Sequence, residues 1–288
     1  MPLPFVVAGA VALGATVATG VATGAAAGAA GAAATWHHRR WLAYHRRKGV
    51  EPPAGAYRLA QVESRDGAAL LWWSLRAAWR DGWMRPHDVS GPPVVCVHGY
   101  TQNGTNFWGI RRALAGCGHP TAAVSLHHRL APMSWYARRL RRSLQGLLAP
   151  VQEPVDVVAH SMGGVLMRLV LADDEALRSQ VRSVITLGSP HRGTAAARGI
   201  PLLPEVQALK RRAALLDDLP SLTELVPRVT NLAGTLDTVV YPLASALEPG
   251  ARHVVLPVGH AGLLTHPAAV HAVLTAVTGN RDGCDTAA

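Results

Sequence analysis

The run Val155-Asp156-Val157-Val158-Ala159-His160-Ser161-Met162-Gly163-Gly164 constrains this chain more than any other. Its β-branched opening reads as a strand buried on both faces, and a helical pattern follows from Val165 to about Ala172. A serine nucleophile is best presented on a sharp turn between a strand and a helix, where its Oγ is pushed clear of the sheet. Strand and helix pass so closely there that the residues two before and two after the serine must be small, a condition Ala159 and Gly163 meet. Glycine is usual at both places, and the methyl group of Ala159 is the smallest departure from it. The plainer alternative is a helix N-terminus capped by Ser161.

A second strand–turn–helix unit starts at Val94-Val95-Cys96-Val97 and ends in His98-Gly99-Tyr100. A polar turn (Thr101 to Asn106) and a helical pattern around Trp108 to Leu114 follow. Such a unit leaves backbone N–H groups at the carboxyl end of the strand, where they can meet an oxyanion.

Together with Thr186-Leu187-Gly188-Ser189-Pro190-His191-Arg192-Gly193-Thr194, these motifs resemble the α/β-hydrolase superfamily, and within it bacterial triacylglycerol lipases and esterases. The resemblance covers Pro92 to Val277, about two thirds of the chain. It implies a three-layer α/β-hydrolase fold with a mostly parallel sheet and a chain order of nucleophile, acid, histidine. It assigns the backbone N–H groups of Tyr100 and Met162 as oxyanion donors.

Three later strands are predicted, Val181 to Leu187, Val229 to Ala233 and Arg252 to Pro257. Asp237 and His260 each sit in a loop just after a strand, at the same sheet edge as Ser161, where such loops converge. In the resulting triad His260 takes the proton of Ser161 and Asp237 fixes the imidazole tautomer. The rival histidines fit less well. His160 would point away from its neighbour's Oγ, His253 begins a strand, and His266 precedes Pro267 at a helix start. His191 is a fourth rival. Among the acids, Asp217 and Asp218 fall in a helical stretch and Glu248 in a Pro-Gly turn.

The reaction implied is hydrolysis of carboxylic esters, with a lipid or acyl ester as substrate and an acyl-enzyme on Ser161. The alternatives are an acyltransferase or thioesterase using the same triad, or a non-catalytic membrane-tethered scaffold. No cofactor and no metal are expected. The histidines lack zinc-motif spacing, the cysteines are isolated, and no glycine loop ends in Lys-Ser or Lys-Thr. Cys96, Cys117 and Cys284 read as unpaired thiols, as in reducing compartments.

The remainder of the chain is organised around this domain (92–279), with 280–288 a flexible tail. Residues 1–48 form an apolar segment with a basic flank. Phe5 to Ala34 holds no charged residue, long enough to span a bilayer as a helix, and the first Lys or Arg comes only after it. Trp36, Trp41 and Tyr44 are expected at the headgroup level, with Arg39, Arg40, Arg46, Arg47 and Lys48 beside them. This predicts a single-pass, membrane-associated protein with its catalytic domain on the cytoplasmic side. Residues 49–91 read as a linker around Pro52-Pro53 and a Trp-rich helix from Ala68 to Met84. That Trp face lies on a bilayer or packs on the domain. Arg198 to Arg228 is an insertion, either a cap over an acyl pocket or a structural helix pair.

The charge excludes less than it first suggests. Against 18 Asp+Glu stand 28 Lys+Arg, a formal +10. Arg111-Arg112, Arg138-Arg139, Arg141-Arg142 and Arg211-Arg212 lie on separate segments with no alternating aromatics, so they read as solvated faces and not as a nucleic-acid site.

Overall fold

Six parallel strands form one sheet in the order β2-β1-β3-β4-β5-β6. They are β1 (Val94–Val97), β2 (Thr121–Val124), β3 (Val155–His160), β4 (Val181–Leu187), β5 (Arg228–Gly234) and β6 (Arg252–Leu256). The computed structural model describes residues 32, 35–49, 83, 84, 86, 88–126, 131–199 and 204–279. The helices are α1 (35–47), α2 (Trp108–Gly116), α3 (Met133–Leu148), α4 (Met162–Asp173) and α5 (Glu175–Ser179). Three single turns follow, α6 (Pro204–Gln207), α7 (Ala214–Asp217) and α8 (Leu222–Leu225), then α9 (Gly262–Thr265) and α10 (Pro267–Thr278).

Successive side chains of a strand point to opposite faces, so an all-apolar strand feeds two cores. In β1, Val95 and Val97 join the core under α3 and α4, whereas Val94 and Cys96 join the one under α2, α9 and α10. The result is a helix layer on each face of the sheet. Helix α3 shows the sequence logic plainly. Met133, Tyr136, Leu140, Leu144 and Leu148 recur every three or four residues and are buried, while Arg138, Arg139 and Arg142 are exposed on the other side.

The strand order reverses at β1, since the chain runs from β1 outward to β2 and then returns to β3 on the other side. In open parallel sheets such a reversal leaves a crevice at the carboxyl edge, which is where ligands bind. Val97 pairs with Ala159, so β1 and β3 deliver Gly99-Tyr100 and His160-Ser161 to that crevice side by side.

Several expectations change. Thr121–Val124 is a strand the sequence reading passed over, because two of its four residues are alanine. Met84 was assigned to the end of a Trp-rich helix, yet it forms an antiparallel bridge with Thr121 and occupies the edge of β2. Trp83 packs on the core, and the rest of that helix, 68–82, lies outside the described residues. So does the apolar run Phe5 to Ala34, apart from residue 32, and so does the tail after Gly279. Among the described residues no helix is long and apolar enough to cross a membrane. Trp41 does not stand at a headgroup level. It is 1% exposed and packs on Ala196 and Tyr241. Arg111 is buried with Thr121, its Nε 3.3 Å from the hydroxyl and a terminal nitrogen 3.2 Å from the carbonyl, so only Arg112 of that pair is exposed. Cys96 is free and buried, burial pushing its thiol up to about 12, but Cys117 is disulfide-bonded, which corrects the reading of all three thiols as unpaired.

The insertion before β5 is built of one-turn helices seated on the domain. Leu209, Leu216, Leu222 and Val226 are buried in the same core as α4. Arg168 of α4 fixes them from beneath, donating to the carbonyls of Leu216 (3.2 Å), Leu219 (2.5 Å), Pro220 (2.9 Å) and His191 (2.8 Å).

Candidate active site

Ser161 has φ 55° and ψ −126°, a conformation that L-residues avoid. Holding a non-glycine residue there costs about 1–3 kcal/mol, and such strain persists only where the surroundings enforce it. The enforcing contacts are visible. The Ser161 N–H donates to the Leu187 carbonyl at 2.9 Å, tying the turn to the end of β4. A Cβ on Gly163 would lie 2.5 Å from the Val97 carbonyl oxygen, and Ala159 is wholly buried, so the crossing of α4 over β1 and β3 demands the small residues found there.

Asp237 and His260 meet at this edge. Asp237 Oδ2 lies 2.7 Å from His260 Nδ1, and its Oδ1 accepts the N–H groups of Val239 (2.8 Å) and Val240 (2.7 Å). Both carboxylate oxygens are therefore committed, which fixes the carboxylate plane and leaves His260 Nε2 on the far side of the ring. The pair and the serine converge on Gly188. That residue has φ +55°, and a Cβ there would come within 3.0 Å of Asp237 Oδ2 and 3.2 Å of His260 Nδ1. Leu187, its neighbour, holds the Ser161 N–H. Among the described residues the Ser161 hydroxyl makes no hydrogen bond. Catalytic contacts of this kind are commonly long until substrate binds.

Tyr100 follows β1 and Met162 opens α4, where the first N–H groups of a helix lack an intrahelical partner. A Cβ on Gly99 would meet the Ser161 Cβ at 2.7 Å, so the loop after β1 lies directly over the serine. Thr101, next in that loop, also has a positive φ of 61°.

Three positions organise this arrangement without having been given a role from the sequence, His98 and Gly188 although their motifs were recognised and Gln102 within the polar turn. His98 is buried, accepts the Leu126 N–H at Nε2 (2.8 Å) and places Nδ1 2.7 Å from the Gly99 carbonyl, where it donates. Gln102 Oε1 accepts the Gly99 N–H (3.0 Å) and faces His160 Nδ1 at 2.8 Å. Gly188 supplies the room described above. The glycine after a strand was readable as a signal for positive φ. The other two depend on how the loop folds back.

The rival groups are structural. His160 touches the His260 carbonyl oxygen with Nε2 at 3.2 Å. Burial, and next the charge of His260, hold it well below the usual histidine range, so the ring is neutral and has one N–H for two oxygens. The 2.8 Å contact to Gln102 is the better hydrogen bond. His191 is buried beside Glu248 (3.6 Å) and Arg168, and burial lowers it to about 3. His253 is in β6, and His266 caps α10 ahead of Pro267. Among the described residues no cluster of His, Cys, Asp or Glu could hold a metal.

Helix α1 adds a wall. His37 comes within hydrogen-bonding reach of the Thr238 backbone and feels the charges of His260 and Asp237, and burial, ahead of these, lowers it to about 4.

The sheet order, the strained serine after β3 and the acid and histidine after β5 and β6 decide the fold. The fold is that of the α/β-hydrolases. A family model described as a PGAP1-like alpha/beta domain matches residues 133–249. Among solved structures, the mature lipase of Bacillus licheniformis superposes with a TM-score of 0.52 at 20% identity, over 64% of this chain and 92% of that one. Lipase B of Aspergillus fumigatus gives 0.56 at 16%, over 68% and 56%. A metagenomic carboxyl esterase gives 0.53 at 17%, over 68% and 79%. No curated protein sequence matches. At these identities the likeness to lipases and esterases is one of fold.

Proposed function

We propose that this α/β-hydrolase cleaves carboxylic esters, lipid or acyl esters foremost, through an acyl-enzyme on Ser161. His260 accepts the hydroxyl proton as Ser161 attacks the carbonyl and returns it to the leaving alcohol. Asp237 keeps Nδ1 protonated and stabilises the imidazolium, and the N–H groups of Tyr100 and Met162 receive the oxyanion. Water, activated by the same histidine, then releases the acid. The observation carrying this reading is the coincidence of a strained serine turn with a buried Asp237–His260 pair 2.7 Å apart at one sheet edge. The lipases and esterases of similar fold support it. A scaffold would have no use for a strained serine beside an aligned acid–histidine pair.

A fluorophosphonate probe tests it. Covalent labelling of the wild type, absent in Ser161→Ala, is expected, and equal labelling of both proteins refutes it. Product analysis with water and alcohol acceptors separates hydrolase from acyltransferase.

The run Phe5 to Ala34 remains our proposed membrane anchor. Its basic C-terminal flank assigns the domain to the cytoplasmic side, while a disulfide at Cys117 argues for an oxidising compartment. Protease accessibility in sealed vesicles distinguishes the two sides.

A further inference from the structure

Between α1 and the segment that follows β4 lies a cavity of about 460 Å³, within the size range of small-molecule sites. Six cationic side chains line it, Arg40, Arg47 and Lys48 from α1 and Arg198, Arg211 and Arg212 from the insertion, and among the described residues no carboxylate does. Among the described residues no ion pair engages any of the six. Arg40 is the inner one. Its guanidinium stands 5.1 Å from the Trp36 ring and lies beside Tyr241, while its Nε is buried without a partner. Arg212 takes φ +60°, so the wall carries backbone strain of the kind that collects at binding sites. On their other side Arg211 and Arg212 border a second cavity that does contain Asp217, Glu224 and Glu248, but the four remaining cations have no such neighbours there.

Like charges gathered without a counter-charge repel one another, and an anion relieves that repulsion while taking charge-assisted hydrogen bonds. The position relates the cavity to the chemistry. Helix α1 brings His37 to the Thr238 backbone, and Arg40, the inner cation, follows three residues later, about 4.5 Å along a helix rising 1.5 Å per residue. Tyr241, which closes the cavity against Tyr44 at a ring separation of 5.2 Å, lies next to Val240, whose N–H bonds Asp237.

We infer that this cavity binds the phosphate group of an acyl ester, so that the substrate is a phosphate-bearing ester held with its acyl carbonyl at Ser161. The inference rests on the ester-hydrolase reading for its second half only. The phosphate is either that of a lipid headgroup or that of a soluble phosphate ester, and the two are separable.

The test has two arms on the full chain. In the first, glycerol 3-phosphate and vesicles containing phosphatidate or only phosphatidylcholine are titrated into Ser161→Ala. Saturable binding of glycerol phosphate or of phosphatidate vesicles, weakened about tenfold or more by Arg47→Gln with Arg198→Gln, supports the site. No binding of either anion, or binding indifferent to those substitutions, overturns it. Binding to phosphatidate vesicles alone identifies the lipid source. In the second arm, kcat/KM for butyryl glycerol phosphate is divided by that for monobutyrin. The ratio should fall about tenfold in the double variant and stay put in Arg138→Gln on α3. A ratio unmoved by the double variant, in an enzyme active on monobutyrin, overturns the substrate assignment. Phosphate binding without activity on either ester overturns the hydrolase reading and leaves the anion site standing.

Discussion

The rings of His160 and His260 lie 4.6 Å apart at a tilt of 47°, with His160 Nε2 facing the backbone carbonyl of His260. The residue before the nucleophile thus packs against the base. Through Gln102 it is also tied to the loop over Ser161. Replacing His160 by Phe keeps a ring and removes both nitrogen contacts. Displacements of about 1 Å in a reacting array can cost a hundredfold, so kcat should fall ten- to a hundredfold with KM little changed. Burst kinetics on p-nitrophenyl butyrate measure this. Full activity would show that His160 does not position His260.

Gly188 makes a sharper case. Its φ of +55° is strained for any other residue, and a methyl group would press on Asp237 and His260 together. Gly188→Ala should lower kcat by at least tenfold and lower stability by about 1–3 kcal/mol. Urea titration and ester kinetics on one preparation report both.

Arg168 ties α4 to the turns at 216–220 through buried charge-assisted bonds, with Glu248 at 3.8 Å. Removing it leaves several carbonyls without their donor and the buried Glu248 carboxylate without the nearby positive charge. Arg168→Met should cost about 3–5 kcal/mol, the range for breaking a buried charge network, and Arg168→Met with Glu248→Gln should recover part of that loss. Denaturation curves of the two variants give the comparison.

Stability should fall on acidification below neutrality. Burial lowers His191 to about 3, His37 to about 4 and His160 well below its ordinary 6.5. A histidine with a depressed folded pKa contributes stability that is present above the unfolded pKa. It is lost as pH drops through 6.5 toward the folded value, because the unfolded chain binds the proton first. Burial raises Glu248, which has the opposite sign between its raised folded pKa and the ordinary 4.5, so one carboxyl stands against three histidines. The melting temperature should therefore decline steadily from pH 7 to pH 4, and His191→Gln should flatten that slope. A flat profile in the wild type contradicts the neutral buried state.

Legibility in the sequence followed the range of the forces involved. Val181–Leu187 has the predicted bounds because β-branched runs declare a buried strand locally. Ser161, Asp237 and His260 fell at strand ends for the same reason. Trp41 and Arg111 were misread because an amphipathic side chain looks alike in sequence whether it faces lipid, water or a protein wall, and only the tertiary partner decides. Gln102 was invisible because its partners are at position 99, nearby, and at 160, which is remote until the sheet forms.

The seating of Trp41 on Tyr241 matters for anyone trimming this chain. A fragment begun at Gly91, where the recognisable fold starts, would bare an aromatic face beside the acid loop and remove His37 from it. Such a fragment would retain every residue assigned to bond cleavage, yet it would tend to self-associate and would report the chemistry of an uncovered site.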